Sequence, residues 1–250
     1  MAPNDSDLSV YFPSEDVKES VNRFPVILRL QACPFVRMFP FRPLANPHAG
    51  NDALPASSTV TAHSDPLVED PHRYATRLIR GPGLYARNRI EYGFTAWHTA
   101  SNTLISILQL GSHVCGHDGI VHGGLLGAYF DDVMSALLML AFEGEGLKGV
   151  TARLDVRFTR AIRAPAVVAF VVWIERVVMR KVELKGAVHS VLTHAEEQER
   201  GAKCAGMASE NDKNEQFRVD EWLGTGTIKY AEANALFVTM STEKYNKWKL

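Results

Sequence analysis

The clearest hydrophobic pattern in the chain is a strict two-residue alternation between Val150 and Phe158, where apolar residues alternate with Thr151, two arginines and an aspartate. This period predicts a β-strand with one buried and one solvated face, and it places Thr151 on the solvated face. Further runs rich in apolar and β-branched residues predict strands over 90–97, 103–110, 166–174, 182–192 and 227–240.

One long helix is predicted among these strands, from Gly123 to Phe142. Its length and apolar composition would suit a membrane span. However, Asp131 and Asp132 lie at its middle, where each acid costs about 2.5–3.5 kcal/mol in a membrane helix. We therefore predict no membrane span, but a helix buried in protein, with a curved antiparallel sheet folded around it.

Two segments differ from the rest of the chain in composition and in hydrophobic pattern. Nine of the twelve prolines occur before residue 70, so residues 1–80 are predicted to form an arm without long regular elements. Within the arm, Pro25 interrupts any single helix over 16–29, and a short helix is predicted over 71–78. The polar, aperiodic stretch 196–226 is predicted to be an insertion before the last strand. The remaining chain, 81–250, is predicted to be one domain.

The overall charge excludes the simplest argument for nucleic-acid binding, because 27 Lys and Arg are balanced by 28 Asp and Glu. The three cysteines form no C-x-x-C pair, which favours a reducing compartment. The first residues do not resemble a secretory signal, and we expect a cytoplasmic protein, with mitochondrial or peroxisomal targeting left open.

Candidate catalytic residues surround the start of the long helix. His122 precedes Gly123 and Gly124, whose unpaired backbone N–H groups would point outward from the helix terminus, as in an oxyanion hole. Asp131 lies about two turns further along the same face. A carboxylate on so apolar a helix must be paired or must line a wetted cleft. Asp132 points about 100° away, so one acid is the working group and the other a structural partner.

The neighbouring residues also raise the hypotheses of a metal site and of a cysteine nucleophile. His113, Cys115 and His117 precede His122 closely, but they lack the usual spacing of zinc ligands and no second cluster completes a set. A Cys115 nucleophile would need a neighbour that activates it. The basic residues Arg153, Arg180 and Lys181 are candidates for binding the phosphates of a nucleotide-like ligand, or else for a solvated face. No metal or organic cofactor is predicted.

The run from Cys115 to Asp132, Cys-Gly-His-Asp-Gly-Ile-Val-His-Gly-Gly-Leu-Leu-Gly-Ala-Tyr-Phe-Asp-Asp, resembles the G-x-V-H-G-G-x-x-x-x-x-x-D-[DE] signature of the acyl-CoA thioesterase branch of the hotdog superfamily, particularly in its fungal members. Residues 149–165 are similar to the family's G-V-T-A-x-L strand pair, Arg180-Lys181 to its G-R-K turn, and residues 230–238 to its closing A-E-A-x-A-L-F strand. The resemblance covers residues 85–195 and 227–240.

The resemblance implies an α+β hotdog fold, in which an antiparallel sheet of five or six strands curls around one long central helix. It implies a homodimer or a dimer of dimers, with active sites at the interface and an acyl-CoA or acyl-carrier thioester as substrate. Asp131 would activate water, the Gly124 N–H would hold the oxyanion with Gly123 making room, and His122 would orient the loop or the carbonyl. Thr151 would come from the partner chain and position Asp131 or the water.

Three departures from the family pattern keep other reactions open. Ala161 replaces a proline, Met179 replaces the glycine before Arg180, and the final hairpin carries about thirty extra residues. The same scaffold also hosts dehydratases and proteins acting on carrier-bound polyketides. A dehydratase, isomerase or cyclase acting on a polyketide-like specialised metabolite, and a non-catalytic acyl-binding protein, therefore stay as alternatives to a hydrolase of lipid or polyketide metabolism.

Overall fold

The computed structural model describes residues 13–39, 84–142, 147–199, 222–224 and 226–241. The helices are α1 (Glu15–Asn22), α2 (Pro25–Ala32), α3 (Gly123–Ala141) and α4 (His194–Glu199). The strands are β1 (Val36–Phe39), β2 (Ile90–His98), β3 (Thr103–Leu110), β4 (Cys115–His117), β5 (Ile120–Val121), β6 (Leu147–Phe158), β7 (Ala166–Val178), β8 (Lys181–Ser190) and β9 (Lys229–Ser241). The six predicted strands and the long helix are confirmed, whereas the short helix predicted over 71–78 lies outside the described residues.

The main sheet has seven strands in the order β1-β2-β3-β7-β8-β9-β6, and every pairing is antiparallel. Strands β4 and β5 form a separate hairpin directly before α3. The sheet has one strand more than the expected five or six, because β1 from the N-terminal arm pairs with β2. Within the described residues, β6 forms the opposite edge of the sheet from β1.

Helix α3 packs against one face of the sheet, as its apolar composition predicts. Its buried side chains include Phe130, Met134 and Leu137, which share a core with alternate residues of β3 and β7 such as Leu108 and Phe170. This helix is long and apolar enough to cross a membrane by length and composition alone, but half of its apolar window is buried inside the fold. It is the core helix around which the sheet is wrapped.

The arm covers the other face of the sheet. Val21, Ile27 and Leu30 of α1 and α2 pack on the second set of alternating residues, including Ile107 and Val171. Strands β3 and β7 are therefore buried on both faces, which explains why their sequences are continuously apolar. The prediction that Pro25 prevents a single helix is confirmed, because Pro25 is the first residue of α2, where its missing N–H costs nothing.

One ion pair fixes the arm to the end of β8 and to the residues before β9. The Arg29 guanidinium lies 2.9 Å from the Glu197 carboxylate of α4, and both side chains are largely buried. Arg29 Nε also donates to the Trp222 carbonyl at 2.8 Å. The two ends of the predicted insertion, 196–226, therefore meet on α2 rather than on the face that carries α3.

Candidate active site

The strongest polar contact on the exposed side of α3 joins Asp131 to Thr151. Thr151 Oγ1 donates a hydrogen bond to Asp131 Oδ1 at 2.6 Å, the length of a hydroxyl bonded to a carboxylate. Asp131 is half-buried and Thr151 is exposed. Among the described residues no ion pair neutralises Asp131, so its second oxygen is available to a water or a substrate.

A β-bulge places Thr151 beside the helix. Its side chain is exposed, as predicted, but it lies on the face of the sheet that carries α3 and not on the face of Arg153. Thr151 pairs with Phe237 of β9, but Arg153 pairs with the adjacent Leu236, so Ala152 is the extra residue. The bulge inverts the alternation, and Thr151 shares the face of the fully buried Phe237 instead of the face of Arg153. The strict alternation read from the sequence was wrong at this one step.

The resemblance also implied that Thr151 would reach Asp131 from a partner chain. The structure instead shows the contact within one chain, because β6 lies directly along α3. Gly149, two residues earlier, explains how the strand approaches so closely: a Cβ there would overlap the Leu138 side chain of α3. The carboxylate and the hydroxyl that positions it therefore form a single unit.

At the start of α3, the backbone N–H that is available differs from the one expected. His122 is the N-cap residue, and its Nδ1 accepts a hydrogen bond from the Gly124 N–H at 2.9 Å. The predicted oxyanion donor is therefore already engaged. The Gly123 N–H, by contrast, has no acceptor among the residues the structure describes, since the first N–H of a helix has no partner within the helix.

Phe158 borders this terminus, although sequence reasoning treated it only as a core residue of the alternating strand. Its ring is 52% exposed, and a Cβ on Gly123 would lie 3.4 Å from it. An exposed aromatic ring beside an unpaired backbone donor makes one apolar wall of a site. The alternating pattern predicted a buried Phe158, and its exposure follows from β6 being a sheet edge among the described residues.

The three predicted substrate-binding cations lie away from Asp131 in one chain. Arg153 is on the opposite face of the sheet, paired with Asp155 at 2.9 Å, and both side chains are mostly exposed. Arg180 and Lys181 are exposed at the β7–β8 turn, where the Arg180 carbonyl accepts a bond of 2.7 Å from the Thr239 N–H. Their predicted contact with phosphate stays a prediction.

Met179 occupies the position of the family glycine at that turn, and it adopts a backbone conformation that is typical of glycine. Its φ is +54°, in the left-handed region that glycine adopts most readily, and its side chain is 94% exposed. Methionine keeps the turn that glycine would form, so the geometry that presents Arg180 and Lys181 is retained.

No group of three or more histidine, cysteine or acidic side chains that could hold a metal ion occurs among the described residues. Cys115 and His117 lie in the β4–β5 hairpin, with Cys115 half-buried and His117 exposed. Asp132 is half-buried and makes an interaction of its own, and its predicted structural role stays a prediction.

The site comprises two clusters on the same helix. One is the helix start, with His122 and Gly123, and the other is Asp131 with Thr151. Because a helix rises 1.5 Å per residue, the eight residues from Gly123 to Asp131 separate them by about 12 Å along the axis. A donor to the carbonyl oxygen and the group that activates its attacker must both lie near one carbon atom. The two clusters of one chain are therefore too far apart to act on the same carbonyl.

Comparison with known proteins bears on this arrangement. Residues 118–191 match the family model described as the thioesterase superfamily. No curated protein matches the chain. Similar solved structures include an acyl-CoA hydrolase from Staphylococcus aureus described in complex with butyryl coenzyme A and coenzyme A, at 14% identity and a TM-score of 0.42, covering 58% of this chain and 70% of that chain.

Two other similar structures are a thioesterase from Haemophilus influenzae and a conserved protein from Pseudomonas aeruginosa. The first is 10% identical with a TM-score of 0.39, covering 56% of this chain and 73% of that chain. The second is 16% identical with a TM-score of 0.37, covering 56% of this chain and 82% of that chain. The matched segment 118–191 contains His122, Asp131 and Thr151, and the antiparallel sheet wraps α3. This segment is therefore similar to the thioesterase superfamily, and the fold, an antiparallel sheet wrapped around one long helix, is the hotdog fold.

Proposed function

We propose that the protein hydrolyses an acyl-CoA or acyl-carrier thioester with water activated by Asp131. The observation that carries this proposal is the 2.6 Å hydrogen bond from Thr151 to Asp131, which engages one carboxylate oxygen and leaves the other without an ion pair among the described residues. A half-buried carboxylate fixed by a hydroxyl is suited to accept a proton from water. The superfamily match adds support for thioester chemistry in general.

In the proposed reaction, Asp131 removes a proton from a water molecule whose oxygen attacks the thioester carbonyl carbon. The carbonyl oxygen becomes an oxyanion and is stabilised by the Gly123 N–H at the start of α3 and by the His122 ring. When the tetrahedral intermediate collapses, the carbon–sulfur bond breaks and the thiolate leaves, taking up a proton. The products are a carboxylic acid and a free thiol.

We further propose that the working site is composite, with the helix start of one chain and the Asp131–Thr151 unit of another. The separation of about 12 Å between the two clusters of one chain favours this arrangement. The edge strand β6, which carries Thr151, has a free hydrogen-bonding edge among the described residues, and such an edge is suited to pair with a second copy. The assembly would be a homodimer or a dimer of dimers.

The decisive experiment presents acetyl-, butyryl-, octanoyl- and palmitoyl-CoA to the protein and measures the release of free thiol. We expect release from at least one thioester and a kcat lower by about 10²–10⁴-fold in Asp131→Asn, as for loss of a general base. Calorimetric binding of the same thioester should be retained in this variant. Absence of thiol release from every thioester would refute the proposal, with conversion of an intact acyl skeleton favouring a lyase or isomerase and binding without turnover favouring an acyl-binding protein.

The composite site has its own test in mixed assemblies. His122→Ala and Asp131→Asn chains, carrying different affinity tags, are co-expressed and the mixed dimer is purified through both tags. If each site combines two chains, one of the two sites in the mixed dimer is intact and about half of the activity returns. If each site lies within one chain, both remain inactive, which would contradict the composite arrangement.

A further inference from the structure

The His122 ring is held between two glycines. A Cβ added to Gly116 of β4 would lie 2.6 Å from His122 Cδ2, and one added to Gly124 would lie 2.8 Å from Cε1. Both distances are shorter than a carbon–carbon contact allows. The ring therefore lies in a slot whose two sides lack side chains, and Nε2 is the ring atom between Cδ2 and Cε1.

The backbone keeps this slot in place. The His122 N–H donates to the Val114 carbonyl at 2.9 Å, and Cys115 pairs with Val121. The register of the β4–β5 hairpin shifts between Cys115 and His117, so Gly116 is the extra residue of a bulge. This bulge brings the Gly116 Cα against the imidazole edge. The φ of Gly116 is outside the left-handed region, so contact with the ring is the principal obstacle to a side chain there.

The hydrogen bond from the Gly124 N–H determines which ring nitrogen carries the proton. Because Nδ1 accepts this bond, it presents a lone pair, and the neutral ring must carry its proton on Nε2. Among the described residues, no acceptor contacts Nε2. The helix start thus carries two N–H donors without an acceptor among the described residues, His122 Nε2–H and the Gly123 N–H.

We infer that Gly116 is a positioning residue, which seats the His122 ring so that Nε2–H, together with the Gly123 N–H, faces the thioester carbonyl oxygen. The Gly124 N–H then serves to hold the tautomer rather than to bind the oxyanion. This inference rests on the proposed function and names a residue that touches neither substrate nor Asp131. It predicts that a single methyl group at position 116 displaces the ring and weakens catalysis.

The kinetic test compares Gly116→Ala, His122→Asn and the double variant. Asparagine is a good N-cap residue and accepts from the Gly124 N–H without providing an imidazole donor. We expect each single variant to lower kcat at least 10-fold with KM changed less than about 3-fold, since loss of one oxyanion donor costs about 10²–10³-fold in kcat. The double variant should be no slower than His122→Asn, because Gly116 acts only through the ring.

The spectroscopic test does not depend on activity. Nitrogen-15 NMR of the imidazole, assigned by its loss in His122→Asn, should show the Nε2–H tautomer in the unsubstituted protein and a mixture of tautomers in Gly116→Ala. If Gly116→Ala fails to fold, the tautomer of the unsubstituted protein still tests the orientation of the His122 ring. The double variant, in which the smaller Asn side chain replaces the imidazole, should fold.

Two results would overturn the inference: an Nδ1–H tautomer in the unsubstituted protein, or effects of Gly116→Ala and His122→Asn that multiply in the double variant. A protein that hydrolyses no thioester but shows the Nε2–H tautomer, lost in Gly116→Ala, would refute the proposed function while leaving the seating of His122 by Gly116 supported.

Discussion

Thr151 and Asp131 are twenty residues apart in the chain, yet the hydroxyl of one donates to the carboxylate of the other at 2.6 Å. The contact exists because the bulge at Ala152 turns Thr151 toward α3. Among the described residues, Asp131 makes no other side-chain hydrogen bond, so the orientation of the carboxylate depends on this one.

Replacing Thr151 should therefore reduce turnover more than stability. A hydrogen bond to a charged group contributes about 1.5–3 kcal/mol, which corresponds to a kcat lower by about 10- to 100-fold in Thr151→Val. Thr151→Ser retains the hydroxyl and should keep most of the activity. Steady-state kinetics of the two variants make the comparison, with the exposed Asn234→Ala on β9 as a control. Equal activity in the Val and Ser variants would contradict a positioning role for the hydroxyl.

Gly149 should tolerate no side chain, because a Cβ there overlaps Leu138 of α3. We expect Gly149→Ala to lower the free energy of unfolding by about 1–3 kcal/mol, as for overpacking in a core. Urea denaturation measures the effect. Combining it with Leu138→Ala should cost less than the sum of the two single variants, because the smaller side chain removes the overlap. Strict additivity would show that the strand and helix do not meet at this point.

The turn at Met179 offers a stabilising substitution. Its φ of +54° is unfavourable for a residue with a Cβ, so Met179→Gly should raise the free energy of unfolding by about 1 kcal/mol. Met179→Ala is the matched control, since alanine removes the side chain but keeps the Cβ, and it should give no gain. A shift of the urea midpoint that is the same in both variants would show that exposure of the methionine, and not its backbone conformation, is responsible.

Stability should fall in mildly acidic solution partly because of His98. Burial lowers the pKa of the His98 imidazole below its ordinary value. The unfolded chain, in which the pKa is about 6.5, then binds the proton more readily than the folded chain, so stability is present above this pH and is lost as the pH falls below it. His98→Phe keeps a ring against Phe35 and Trp222 and should lose less stability between pH 7.5 and pH 5. Urea denaturation at the two pH values measures this, and identical losses would contradict it.

Much of the fold followed from local patterns. Strand β3 spans the predicted 103–110, and α3 ends one residue before the predicted Phe142, because uninterrupted apolar runs bounded by glycine and asparagine leave little choice of element. The prolines predicted an N-terminal arm but not the surface on which α1 and α2 pack, since these helices have few residues and a short apolar stripe does not indicate which surface it covers. The joining of β1 to the sheet likewise depends on a long-range pairing.

The amino-acid sequence by itself determined the identity of the central helix and the positions of His122 at its start and Asp131 upon it, because these depend on the spacing of apolar and polar residues along a single element. Only the tertiary structure decided that Thr151 faces Asp131 and that His122 caps the Gly124 N–H. Each of these contacts depends on one extra residue in a β-bulge, Ala152 opposite β9 or Gly116 opposite β5. The position of a bulge depends on the pairing with the neighbouring strand, and the alternation of residues within one strand does not reveal it.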